Sequence, residues 1–64
     1  GSLTILNLNG NNSIGDEGAK ALAEALRANR SLRELWLNNN SIGDVGAKAL
    51  WDAVRGRQGF ELHL

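Results

Sequence analysis

Glu61 and His63 stand two positions apart near the end of the chain, and His63 is the sole histidine in the sequence. A carboxylate beside an imidazole is the raw material of general acid–base chemistry when a substrate lies over the pair. On a strand it is also an ordinary surface pairing, and nothing else joins it to make a catalytic set. One imidazole cannot build a metal site of several histidines within a single chain. Cysteine is absent, which removes a thiol nucleophile, a thiolate metal site and a disulfide framework, and leaves the redox compartment undetermined. Asp16-Glu17 is a second carboxylate pair, but its counterpart later in the chain is Asp44-Val45, so the pairing is not part of the repeated pattern. Gly15-Asp16-Glu17-Gly18 lacks both the strand-linked glycine spacing and the lysine of phosphate-binding loops. Asn11, Asn29 and Asn39 each open an Asn-x-Ser sequon, incidental to turns rich in Asn and Ser. The expectation is a protein that is not an enzyme and uses no cofactor, metal or small-molecule substrate.

The elements that carry these residues are set by a repeat. Ser13-Ile14-Gly15-Asp16-Glu17-Gly18-Ala19-Lys20-Ala21-Leu22 returns 28 positions later as Ser41-Ile42-Gly43-Asp44-Val45-Gly46-Ala47-Lys48-Ala49-Leu50, with Glu17 against Val45 as the one change. Leu3, Leu6 and Leu8 are answered by Leu32, Leu35 and Leu37. A period of this length marks a solenoid, in which each unit buries its apolar face against its neighbours. Within a unit the apolar spacing switches from two to about 3.6, as it does where a short strand is followed by a helix. Leu6 and Leu8 alternate with Asn7 and Asn9, and Leu35 and Leu37 with Trp36 and Asn38. The helices are expected to open at Asp16 and Asp44 as N-caps, with core faces of Gly18, Ala21, Leu22, Ala25 and Leu26, then of Gly46, Ala49, Leu50, Ala53 and Val54. Asn29 and Gly56 are placed to end them in the left-handed conformation, with Arg27, Arg30, Arg55 and Arg57 suited to the carbonyl ends of the helix dipoles. Lys20 with Glu24 and Lys48 with Asp52 are i,i+4 pairs on solvated faces.

Three departures from the repeat carry further expectations. Leu8 to Leu37 spans 29 positions whereas Ile14 to Ile42 spans 28, and Gly10 is the candidate for the extra residue. Phe60-Glu61-Leu62-His63-Leu64 alternates apolar and polar like the start of a third unit, so the chain should run strand, helix, strand, helix, strand. Trp51 stands where the first unit has Ala23, and is expected to cover the flank of the last helix.

Leu-x-x-Leu-x-Leu-x-x-Asn-x-Ile-Gly-Asp followed by Gly-Ala-Lys-Ala-Leu resembles a leucine-rich repeat of the ribonuclease-inhibitor class, which includes the repeats of NOD-like receptors and of Ran GTPase-activating proteins. The resemblance covers nearly the whole chain. It implies an α/β solenoid with a parallel sheet on the concave side and helices on the convex side, a scaffold that recognises proteins without chemistry, and a cytoplasmic or recombinant setting. The domain division is residues 1–2 as a leftover of tag removal, 3–30 and 31–57 as repeats, and 58–64 as the strand of a partial third. Asn12 and Asn40, two residues before Ile14 and Ile42, should satisfy backbone groups in the buried turns, with Asp16, Asp44, Trp51 and Phe60 as the other structural positions.

Strand alternation turns Trp36 away from the core and onto the open face of the sheet, with Ile5, Asn7, Asn9, Glu34, Asn38, Glu61 and His63 around it. Large apolar residues on a surface often mark a contact, and this is the expected protein-contact face. Seven basic and seven acidic side chains give no net charge and no footprint for nucleic acid. No apolar run approaches the ~20 residues of a membrane span, and the chain reads as soluble, without a targeting signal. A chain of about 60 residues buries only about 60% of its unfolded surface, and its two end strands offer free edges. Self-association is therefore the expected partner chemistry. The near-identity of the units points to an engineered mini-solenoid associating through its strand edges or concave face. The alternative is a piece of a NOD-like-receptor type protein binding a protein target around Trp36.

Overall fold

The structure, a computed structural model, describes residues 3–10 and 13–64. Chain order is β1 (Ile5–Asn7), α1 (Gly15–Ala28), β2 (Glu34–Trp36), α2 (Asp44–Val54) and β3 (Glu61–His63). The strands form one parallel sheet in the order β1-β2-β3, joined by crossover helices that lie on its convex face. Leu6, Leu35 and Leu62 share one register row and turn toward the helices, so Phe60 to Leu64 does supply the third strand.

The core gathers in the second unit. Leu35, Leu37 and Leu50 are almost fully enclosed, with Leu26, Leu32, Val54 and Leu62 beside them. Fully burying one such side chain stabilises by about 1.5–3 kcal/mol. Leu6 and Leu8 are only half-buried, because β1 is the edge strand of the sheet among the described residues. The stripe that the first helix turns to the core matches the expected one only in part: Leu26 is buried and Leu22 packs on the core, as expected. Ala19, Ala23 and Leu26 are buried, whereas Ala21 and Ala25 are exposed. A solenoid helix packs on the sheet and on the next helix at once, so its stripe is widened toward α2, and the flank away from α2 is left bare. In α2, Gly46, Leu50 and Val54 are buried, and Ala49 and Ala53 are half-buried.

Glycine sets how closely the helices approach. A β-carbon on Gly46 would fall 2.7 Å from Asp16 Oδ1 and 2.8 Å from the Ala19 β-carbon. Close approach by α1 is thus written as Gly46 against Ala19.

Several local expectations are corrected. Neither aspartate is an N-cap: Ile14 and Gly43 hold those positions, and neither makes a side-chain cap bond. Asp16 lies inside the first turn of α1 and Asp44 is the first residue of α2. Asn29 ends α1 in an extended conformation (φ −95°), and its Oδ1 instead accepts from the amides of Ser31 (2.7 Å) and Leu32 (3.0 Å). Gly56 does take the left-handed conformation (φ 82°) just after α2. Gly10 (φ 79°) shares the left-handed conformation of Asn39 (φ 61°), each standing two positions after a matching leucine, Leu8 and Leu37. Lys20 pairs with Glu17 at 3.8 Å rather than with Glu24, while Lys48 does reach Asp52 at 3.7 Å. The expectations for Gly1-Ser2 and Asn12 lie outside the described residues.

Candidate protein-contact face

Parallel register assembles the concave face in rows. Ile5, Glu34 and Glu61 form one row, and Asn7, Trp36 and His63 the next. Beyond them the Asn38 amide donates to Asn9 Oδ1 at 2.7 Å, and Asn38 Nδ2 donates to the Leu64 carbonyl at 2.8 Å. Asn7 Oδ1 accepts from the Asn9 amide at 3.0 Å. All eight residues expected on this face from the sequence lie on the three strands or immediately after them.

The face is more tied together than alternation alone indicates. The Trp36 and His63 rings stack with centroids 3.6 Å apart and planes 10° apart. Trp36 Nε1 donates to Glu34 Oε2 at 2.5 Å. Trp36 is consequently half-buried, while Ile5 on the outer strand is well exposed. Glu61 Oε1 comes within 3.4 Å of His63 Nε2 without the alignment of a hydrogen bond, and Nε2 is enclosed with no partner among the described residues. Among the described residues no three His, Asp or Glu side chains gather where they could hold a metal ion. None of the described helices is long and apolar enough to cross a membrane.

The structural positions behave as bridges between units. Asn40 is 2% exposed, and its Nδ2 donates to the carbonyls of Leu8 (2.9 Å) and Asn38 (3.2 Å), while its own carbonyl accepts from the Gly15 amide (2.9 Å). Its Oδ1 meets no donor among the described residues. Asp16 Oδ1 accepts from the amides of Gly43 and Gly46, so it caps the start of α2 from across the helix pair. Asp44, its counterpart, is exposed, with no helix beyond it. Phe60 packs partly on the core beneath the Arg57 guanidinium, whose carbon lies 5.0 Å from the ring centroid. Trp51 is 52% exposed where its counterpart Ala23 is 4% exposed.

One role was missed in the sequence. Arg57 Nη1 donates to the Leu26 carbonyl (3.0 Å) and Nη2 to the Leu32 carbonyl (2.7 Å), so this arginine serves the end of α1 and not its own helix. A positive residue after a helix signals dipole complementation, but no local pattern says which helix receives it.

Comparison with known proteins agrees with the geometry. The family model described as Leucine Rich repeat matches residues 2–23 and again residues 28–50, two passes over more than half of the chain. No curated protein and no solved structure matches the chain significantly. Two family matches over parallel strands and convex helices place the chain in the leucine-rich-repeat family, as a small non-catalytic repeat module for contacts with other proteins.

Proposed function

We propose that the partner of this module is a further copy of itself, met head to tail through the two open ends of the solenoid. One observation carries the reading: the large apolar side chains left exposed are Leu3, Ile5, Val45, Trp51 and Leu64, at 40–57% exposure, and all lie at β1, on the last helix or after β3. None lies on β2. At the first end, Leu3, Leu6, Leu22, Ala25 and Leu26 line an apolar cleft of about 100 Å³, on the flank where a preceding unit would sit. At the other end β3 offers its outer edge and has no helix behind it, with Trp51 on the neighbouring helix. Unlike surfaces at opposite ends favour a heterologous contact over a two-fold one. Near-identical units are in keeping with an idealised, engineered sequence.

The test is sedimentation velocity over a concentration series. The expected result is a weight-average mass that rises with concentration, is lowered by Trp51→Glu and is unmoved by Trp36→Ala. A monomer at every concentration would overturn the reading.

A second reading has one observation in its favour, the exposed Ile5 beside the half-buried Trp36–His63 stack. In it the concave face takes a protein target, as in a piece of a NOD-like-receptor type protein. Capture of a specific protein that is lost in Trp36→Ala while the mass stays monomeric would select it.

A further inference from the structure

All five arginines of this electrically neutral chain, Arg27, Arg30, Arg33, Arg55 and Arg57, lie in its second half of α1 or in the segments after α1 and α2. Arg55 is held by Asp52 at 3.1 Å. Among the described residues, the other four are in no ion pair. Arg30, Arg33 and Arg57 come together with Gln58, Leu32 and Phe60 around a cleft of about 130 Å³. A neighbouring cleft is lined by Arg27, Arg30, Arg55 and Arg57, so Arg30 and Arg57 belong to both.

Arg57 makes the cleft more than a charged patch. Two of its donors are committed to the Leu26 and Leu32 carbonyls, and its guanidinium lies over the Phe60 ring. A guanidinium carries five N–H donors, so three remain on a group whose orientation is already fixed. Little side-chain entropy is then lost when Arg57 meets a ligand. Leu32 and Phe60 give the cleft apolar walls, which strengthen a charge-assisted hydrogen bond.

We propose that this cleft binds a phosphate monoester group. Three guanidiniums face a ligand that carries about −1.5 to −2 charge and three acceptor oxygens near neutral pH. A carboxylate offers half that charge and fewer acceptors. Arginine's planar fork matches phosphate oxygens in paired hydrogen bonds. The site shares Leu32 with the apolar cleft at the first end but none of its arginines, so phosphate binding and self-association can fail separately.

The experiment is a titration of the ¹⁵N-labelled chain at constant ionic strength, read by the backbone amide of Gln58 and the Nε–H signals of Arg30, Arg33 and Arg57. The probes are inorganic phosphate, a short phosphoserine peptide, its unphosphorylated form and a dinucleotide phosphodiester. Saturable shifts confined to those groups, with phosphate and phosphopeptide competing for one site, are the expected result. Tighter binding of the peptide than of the free ion assigns the group to a phosphorylated protein, and equal binding assigns it to free phosphate; both sustain the site. Arg30→Gln and Arg33→Gln, neither of which removes a side-chain bond seen in the fold, should each weaken binding by about tenfold or more. Diester binding as tight as monoester binding would overturn the assignment, as would shifts spread without saturation to Lys20 and Lys48.

Discussion

Asp16 and Gly46 meet across the helix pair: Asp16 Oδ1 accepts from the Gly46 amide at 3.2 Å and from the neighbouring Gly43 amide at 2.6 Å. The carboxylate of one unit thus does for the next helix what an N-cap side chain does for its own. It joins the helices by charge-assisted hydrogen bonds beside the close approach of Gly46 to Ala19.

Removing that link should cost what a lost cap costs. Asp16→Ala is expected to lower unfolding stability by about 1 kcal/mol, and up to about 2. Asp44→Ala, at the equivalent position with no helix beyond it, should change stability by less than about 0.5 kcal/mol. Urea unfolding of both variants measures the difference; equal losses would show that the aspartates act only within their own helices.

Gly46 should resist replacement although alanine favours helix by about 1 kcal/mol. The added methyl would sit 2.7 Å from Asp16 Oδ1 and 2.8 Å from the Ala19 β-carbon, and such overpacking costs about 1–3 kcal/mol. At Gly18 the methyl would fall 2.6 Å from Ile14 Cγ2, but Ile14 is one half-buried side chain at the helix start, whereas the Gly46 methyl would meet Asp16, Ala19 and Ile42 at once. Thermal unfolding should therefore show Gly46→Ala lowered in Tm by more than Gly18→Ala.

Strand order, helix number and the third strand were legible because the period switch and the near-identity of the units express them directly. Positions that depend on a neighbouring unit were not. Ala19 and Ala23 are buried because α2 lies beside them, while the similar Ala21 and Ala25 lie on the exposed flank of α1. Residue type alone makes these four alanines equivalent. Asp16 looks like an N-cap by type and place, and only the packing of α2 shows whose amides it serves. Alternation gives the face on which Trp36 is expected, but its stacking on His63 depends on a register that local spacing does not give.

Asn40 links three segments, so its loss should be felt in both units. Asn40→Ala removes the bonds to the Leu8 and Asn38 carbonyls in a buried turn, and about 1–3 kcal/mol should be lost. Amide exchange should quicken at Gly15, which donates to the Asn40 carbonyl, ahead of global unfolding. Unchanged protection at Gly15 would contradict a bridging role.

The ring stack on the concave face should be worth about 0.5–1.5 kcal/mol beyond its buried area. His63→Ala is expected to lower stability by that order and to weaken the near-ultraviolet dichroism of Trp36. In a Trp51→Phe background, which isolates the Trp36 signal, an unaltered spectrum would show that the stack does not persist in solution.

The most direct test of head-to-tail association uses two variants blocked at opposite ends. Trp51→Glu charges the last helix, and Ala25→Glu charges the apolar cleft at the first end while keeping a good helix former. Each keeps one intact end, so each alone should sediment as a monomer where the parent associates, and an equimolar mixture should give a dimer of one copy of each that grows no further. A variant that still dimerises alone, or a mixture that stays monomeric, would contradict the account.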